Sequence, residues 1–173
     1  MTAYLTSQYL ASLTMLKTCV ENYDAGLWAN CSDYKSPAGQ IAYHTAFYTN
    51  IYLSPSRSRA VRWDKEVPRM EDLGKPITPN DVLSQSDIAH FVDHIVQCIP
   101  RYLERFSMDS DCWPNWYSLS QMEFHMNNLR HIQHHVGQLI ERNRSIKVLD
   151  VPWLTFERIP NTTTLRRLPL TGA

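Results

Sequence analysis

The 173-residue chain is poor in glycine, in net charge and in long hydrophobic runs. It has five glycines, which is few for a fold of strands and tight turns, so a helical protein is favoured. Polar or charged residues interrupt every stretch that approaches the roughly 18 consecutive apolar residues of a membrane span. We therefore expect a protein that is not embedded in a membrane.

The chain has no formal net charge, because its 17 basic residues balance its 17 acidic residues. Proteins that bind nucleic acid or anionic lipid usually carry an excess of Lys and Arg, because phosphate groups provide much of the affinity. The composition thus favours neither nucleic acid nor a membrane as a partner. With 43% hydrophobic and 20% charged residues, the chain is typical of an ordinary globular domain.

The four cysteines form no C-x-x-C pair and no dense framework, which argues against a zinc knuckle or a disulfide scaffold. The first 20 residues have no basic cluster before an apolar block, so they do not resemble a secretory signal peptide. Both features favour reduced thiols, and we expect a cytoplasmic protein.

Four segments have apolar residues at spacings of three and four, which is the period of an amphipathic helix. Ser36 is expected to cap the second helix, and Pro100 to kink the third. Ser120 and Glu123 form a capping-box pattern before the fourth. The four helices are expected over residues 4–23, 37–53, 84–106 and 121–144. The predicted fold is an all-α four-helix bundle.

Two segments lack helical periodicity. Residues 54–83 contain four prolines and predict a long crossover between the second and third helices, which crosses the bundle or covers a site. Residues 148–173 predict an irregular C-terminal tail, docked on the bundle by Trp153 and Phe156. The expected organisation is a bundle over residues 1–147 followed by this tail.

Seven histidines are the most informative feature, because imidazole binds metals at neutral pH and is too polar to bury without a partner. His131 and His135 are one turn apart at the edge of the apolar face of the fourth helix, so both can reach one ion. His44 stands within the apolar series of the second helix and should also point inward. The alternative is that these are core histidines bonded to carbonyls, tyrosines or water.

The other histidines differ in their helical phase. His90 and His94 lie opposite the apolar stripe of the third helix, and His134 points away from the pair on the fourth. We therefore expect these three to be dispensable for metal binding. Asn128, three residues before His131 on the same seam, is a candidate to support an imidazole by a hydrogen bond.

Two sequence segments resemble the DinB-like (DinB/YfiT) superfamily: QIAYHTAFY at 40–48 and LRHIQHHVGQL at 129–139. The resemblance covers about residues 1–147. It implies a four-helix bundle with a long crossover between helices 2 and 3, and a divalent metal held by one histidine of helix 2 and an H-x-x-x-H pair of helix 4.

Carried over to this chain, the implied metal ligands are His44, His131 and His135. Zinc and nickel are the first candidates for the metal, and iron is the next, since imidazole suits all three. Members of the family often form dimers, which makes a homodimer a candidate assembly.

The resemblance also implies a function: a metal-dependent transferase that uses a low-molecular-weight thiol and an electrophile. Exposed arginines of the crossover could bind the carboxylates of such a thiol; they are Arg57, Arg59, Arg62 and Arg69. One alternative is a non-catalytic, metal-stabilised bundle that acts as a stress-related binding module. Another is a helical bundle that binds no metal.

Overall fold

Five α-helices form the scaffold of the described part of the chain. The computed structural model describes residues 1–32, 35–60, 62–113 and 117–157. The helices are α1 (Thr2–Asn22), α2 (Ala25–Trp28), α3 (Ala38–Leu53), α4 (Gln85–Leu103) and α5 (Gln121–Asn143). Within the described ranges no residue lies in a β-strand, and one isolated bridge pairs Asp111 with Ser120. The all-α class is thus confirmed.

The four long helices pack around one core. α1 packs against α4 and α5, and α3 packs against the same two helices, whereas α1 and α3 touch each other only slightly. The core contains most of the apolar positions predicted for α1, α4 and α5. In α3, Phe47, Tyr48 and Tyr52 of the predicted face are only partly buried, and Tyr43 is fully buried instead. The largest fully buried side chains include Tyr9, Leu13, Leu16, Ile41, Tyr43, Phe91, Ile95, Ile99 and Phe124. None of the helices in the described ranges has both the length and the apolar character needed to cross a membrane.

The short helix α2 was not predicted. The side chain of Asp24 caps it by accepting hydrogen bonds from the N–H groups of Gly26 and Leu27. Trp28 at its end is buried, and its indole donates to the carbonyl of Leu83 at 2.8 Å. A single helical turn is too short to show periodicity, so the sequence pattern could not reveal it.

The capping predictions have different outcomes at the two N-termini. At α5, the Ser120 hydroxyl accepts from the Glu123 N–H while the Glu123 carboxylate accepts from the Ser120 N–H, which confirms the capping box. At α3 the prediction for Ser36 is wrong, because Pro37 is the capping residue. The Ser36 hydroxyl instead donates to the carbonyl of Leu73 at 3.0 Å and ties the crossover to α3.

Replacing Ser120 by alanine is expected to lower the free energy of unfolding by about 1 kcal/mol, because α5 loses the hydroxyl of its capping box. The measurement is urea denaturation followed by circular dichroism. Ser118→Ala is the matched control, since Ser118 is exposed and lies two residues outside the cap. Equal midpoints for the two variants would contradict the energetic role of this cap.

The crossover between α3 and α4 is packed against the helices. Met70 is completely buried, and the Trp63 ring stacks on Phe91 with centroids 4.6 Å apart. Two short 3₁₀ turns, Arg57–Arg59 and Pro79–Asp81, interrupt it. The Glu71 carbonyl of this segment also reaches the candidate site described below, while a covering role for the segment stays a prediction.

The beginning of the C-terminal tail docks through different residues from those predicted. Leu149 is buried, and the Glu157 N–H donates to the Ser7 carbonyl at 3.2 Å. Trp153, a predicted anchor, is 64% exposed, and Phe156 is 38% exposed. The aperiodic tail sequence carries no pattern that says which apolar side chain turns inward. The rest of the predicted tail, 158–173, lies outside the described residues.

Candidate metal centre

Three histidines meet where α3 packs against α5. His44 comes from α3, and His131 and His135 come from one face of α5. Their ring centroids are 5.1 Å (His44–His131), 4.9 Å (His44–His135) and 4.7 Å (His131–His135) apart. One ligand nitrogen from each ring lies within 4.8 Å of the others. The structure thus brings together the three residues that the sequence singled out.

The crossover fixes the proton position on His44. Its Nδ1 lies 2.6 Å from the backbone carbonyl of Glu71, 27 residues further along the chain. A carbonyl oxygen can only accept a hydrogen bond, so Nδ1 carries the proton. The lone pair of His44 is therefore on Nε2, the nitrogen that faces the other histidines.

His135 is oriented in the same way by its own helix. Its Nδ1 lies 3.0 Å from Oε1 of Gln138, three residues later. When this amide oxygen accepts the hydrogen bond, Nδ1 carries the proton and Nε2 keeps the lone pair. Metal-ligating histidines commonly donate their second N–H to a carbonyl or carboxylate oxygen, which sets the ring orientation.

His131 is the third ring of the cluster. Its Nε2 lies 3.1 Å from Nε2 of His44, while its Nδ1 is buried without a hydrogen-bond partner. Two imidazole nitrogens that face each other at this distance need either a shared proton or a cation that accepts both lone pairs. The donor set of the three rings fits a divalent cation, because imidazole nitrogen is a common ligand of such ions.

Burial keeps these histidines neutral. Removal from water lowers the pKa of His44, lowers that of His131 to about 3, and lowers that of His135 to about 4. The neighbouring histidines lower the pKa of His131 further. Neutral imidazoles have the free lone pairs that a metal requires, so the site is ready to bind one at pH 7.

The surroundings of the cluster are aromatic. The Tyr48 ring lies 4.8 Å from that of His44, and the Tyr52 ring lies 6.3 Å from that of His131. Burial raises the pKa of both tyrosines, so their hydroxyls stay protonated at neutral pH. Among the described residues, the group of potential ligands consists of the three histidines, without a carboxylate or thiol. Three protein ligands leave positions for an outside molecule.

The other predicted residues lie outside the three-histidine group. His90, His94 and His134 are exposed, as their helical phase predicted, although the His134 ring lies 5.0 Å from that of His135. Asn128 is buried, and its amide donates to the Tyr9 hydroxyl at 3.1 Å, so none of its hydrogen bonds reaches the three clustered rings. Its support of an imidazole stays a prediction.

The four arginines of the crossover are exposed, and no contact within the described residues joins any of them to the three histidines. The positive charge of Arg57 acts on Tyr48 beside His44, whereas Arg59 borders a separate groove. Arg62 and Arg69 are the other two arginines that were predicted to bind the thiol. Their binding of a thiol's carboxylate stays a prediction.

Sequence reasoning missed the two oxygen atoms that orient the site. Gln138 could have been found, because it lies at the i, i+3 spacing from His135 within the predicted helix. The Glu71 carbonyl could not be predicted from the sequence, because every residue type has a backbone carbonyl. Only the path of the crossover brings this one to His44.

Comparison with known proteins gives no match: no protein-family model, no curated protein and no solved structure is detectably similar to this chain.

Proposed function

We propose that this chain is a metal-binding protein of the DinB-like type, a four-helix bundle with a long crossover between α3 and α4. We further propose that it transfers a low-molecular-weight thiol to an electrophile. The observation that carries the proposal is the convergence of three neutral imidazoles from α3 and α5 on one point. The hydrogen bonds to Glu71 and Gln138, which direct two lone pairs inward, support it.

The residues of the chain would hold and orient the reacting groups. His44, His131 and His135 would bind a divalent cation, which would lower the pKa of a thiol that reaches it and so favour the thiolate at neutral pH. Because burial keeps the imidazoles neutral, protons do not compete strongly for their lone pairs. The rings of Tyr48 and Tyr52 would shield one side of the site from water.

The reaction balances without a further co-reactant. The thiol loses its proton to water, and its sulfur forms a bond to an electrophilic carbon. The leaving group departs from that carbon with the electron pair of the broken bond. A thiolate is the reactive form, so lowering the thiol pKa is the main catalytic requirement.

A non-catalytic function is the second candidate, favoured by the position of the cluster between helices. An ion held by α3 and α5 would cross-link these helices and, through Glu71, the crossover. Such binding contributes directly to the free energy of folding. In that case the protein would be a metal-stabilised binding module.

Metal-loaded protein is expected to consume thiol faster than its His135→Ala variant, because the variant lacks one of the three ligands. The assay follows the loss of free thiol and the thioether product by mass spectrometry, with glutathione, mycothiol or bacillithiol and an alkylating electrophile. His90→Ala is the control, since His90 is exposed and remote from the cluster.

The two candidate functions predict different results in this assay. If native protein and His135→Ala consume every thiol equally, the transferase proposal is wrong. If native protein shows no transferase activity but removal of its metal lowers its melting temperature, the result supports the metal-stabilised module.

A further inference from the structure

A second cavity lies apart from the histidine cluster, where α3 and α4 end and α5 begins. Its volume is about 220 Å³, and none of the three clustered histidines borders it. Five aromatic side chains line its walls: Tyr52, Tyr102, Phe106, Trp113 and Phe124. Small-molecule sites are typically concave and apolar with a few convergent polar groups. The aromatic walls provide the concave, apolar surface of such a site.

His125 supplies a polar group at the wall of this cavity. Its Nδ1 lies 2.9 Å from the Tyr9 hydroxyl, which also accepts a hydrogen bond from the Asn128 amide. The Tyr9 proton has two acceptors within reach, Nδ1 and the His125 carbonyl at 3.4 Å, and Nδ1 is the nearer. When Nδ1 accepts it, His125 carries its own proton on Nε2. In this tautomer Nε2 is the donor that the proposal below assigns to the ligand.

An arginine-lined groove adjoins the cavity. The two spaces share Pro55, Tyr102 and Arg105, and the groove has a volume of about 430 Å³. Arg59, Arg101 and Arg105 border it, against the single acidic residue Glu104. Within the described residues, none of these arginines forms an ion pair or a side-chain hydrogen bond. Arg101 lies over the Tyr102 ring, 5.4 Å from its centroid, but this contact does not neutralise its charge. In a chain without net charge, three guanidinium groups that have no ion-pair partner among the described residues favour an anionic ligand at this groove.

We propose that the cavity and groove together bind a small aromatic carboxylate. The ring occupies the aromatic cavity, and the carboxylate accepts hydrogen bonds from Arg105 and from Nε2 of His125. A cavity of 220 Å³ is smaller than the roughly 300–1,000 Å³ of sites for drug-sized ligands. The aromatic part of the ligand therefore has one or two rings. Asp111 also borders the cavity, and its negative charge disfavours a ligand with a second carboxylate. The proposal does not depend on a metal.

The test is a calorimetric titration of the metal-free full chain with 2-naphthoate, and with 2-naphthylmethanol as the uncharged match. We expect one site per chain. Arg105→Gln should weaken 2-naphthoate binding about tenfold, the effect of losing one charge-assisted hydrogen bond, and leave 2-naphthylmethanol unchanged. Arg130→Gln is the matched control, because Arg130 is exposed on α5 and bonds to Asn127.

Amide chemical shifts locate the ligand independently of these substitutions. Binding at the proposed site moves the signals of Tyr102, Phe106 and His125. The proposal is overturned if 2-naphthoate does not bind at millimolar concentration, if Arg105→Gln binds it as tightly as the native chain, or if the shifts centre on His131 and His135. Because metal-free protein is used, failure of the metal proposal leaves this result intact.

Discussion

We expect native protein to bind one divalent ion per chain, and we expect replacement of His131 by alanine to abolish that binding. The His131 ring lies 5.1 Å from that of His44 and 4.7 Å from that of His135, so its loss removes one of the three imidazoles that meet at the site. Protein purified without a histidine tag should be analysed by mass spectrometry for bound metals. We expect the affinity to fall by more than roughly 100-fold, the upper range for losing only a supporting contact.

His134→Ala is the matched control for this experiment. His134 is adjacent to His135 on the same helix but is exposed, and it is not part of the three-histidine group. Gln138→Ala should have an intermediate effect, about 10–100-fold, because it removes only the hydrogen bond that orients His135. Equal metal loss from His131→Ala and His134→Ala would contradict the assigned ligand set.

Metal-free protein is expected to lose stability as the pH falls from 6.5 towards 4, in part because of His125. Burial lowers the pKa of His125 from 6.5 to about 4. Between these values the unfolded chain binds more protons than the folded chain, so the free energy of unfolding decreases with falling pH. At about 1.4 kcal/mol per pH unit, this histidine alone accounts for roughly 3 kcal/mol.

The measurement is urea denaturation of metal-free protein at pH 7 and at pH 4.5. His125→Gln removes the titrating group and should reduce the loss of stability between the two pH values, although the substitution lowers stability at both. His90→Gln, at an exposed position, should leave the difference unchanged. A pH dependence that is the same in His125→Gln and native protein would exclude this role for His125.

Acid should weaken the histidine cluster as well. The pKa values of His131 and His135 are also lowered by burial, to about 3 and about 4, so protonation of these rings opposes the folded state over the same pH range. A bound cation would oppose this loss, because it binds only the neutral rings. Comparing metal-free and metal-loaded protein at pH 5 separates this contribution from that of His125.

Features that depend on neighbouring positions along one helix could be predicted from the amino-acid sequence. The spacing of three and four residues placed the long helices, and the spacing of four put His131 and His135 on one face of α5. The same spacing correctly predicted that His90, His94 and His134 are exposed. The capping box of α5 could also be predicted from the sequence, because Ser120 and Glu123 lie within one turn of each other.

Contacts between segments far apart in the chain depend on how the helices pack, and the sequence pattern does not predict them. His44 and His131 are separated by 87 residues, and their 3.1 Å approach depends on how α3 packs against α5. The same holds for the Glu71 carbonyl on His44, for the Ser36 hydroxyl on Leu73, and for the burial of Leu149 rather than Trp153. Helical periodicity specifies which face is buried, whereas packing of the helices and the path of the crossover select the partner that each buried polar atom meets.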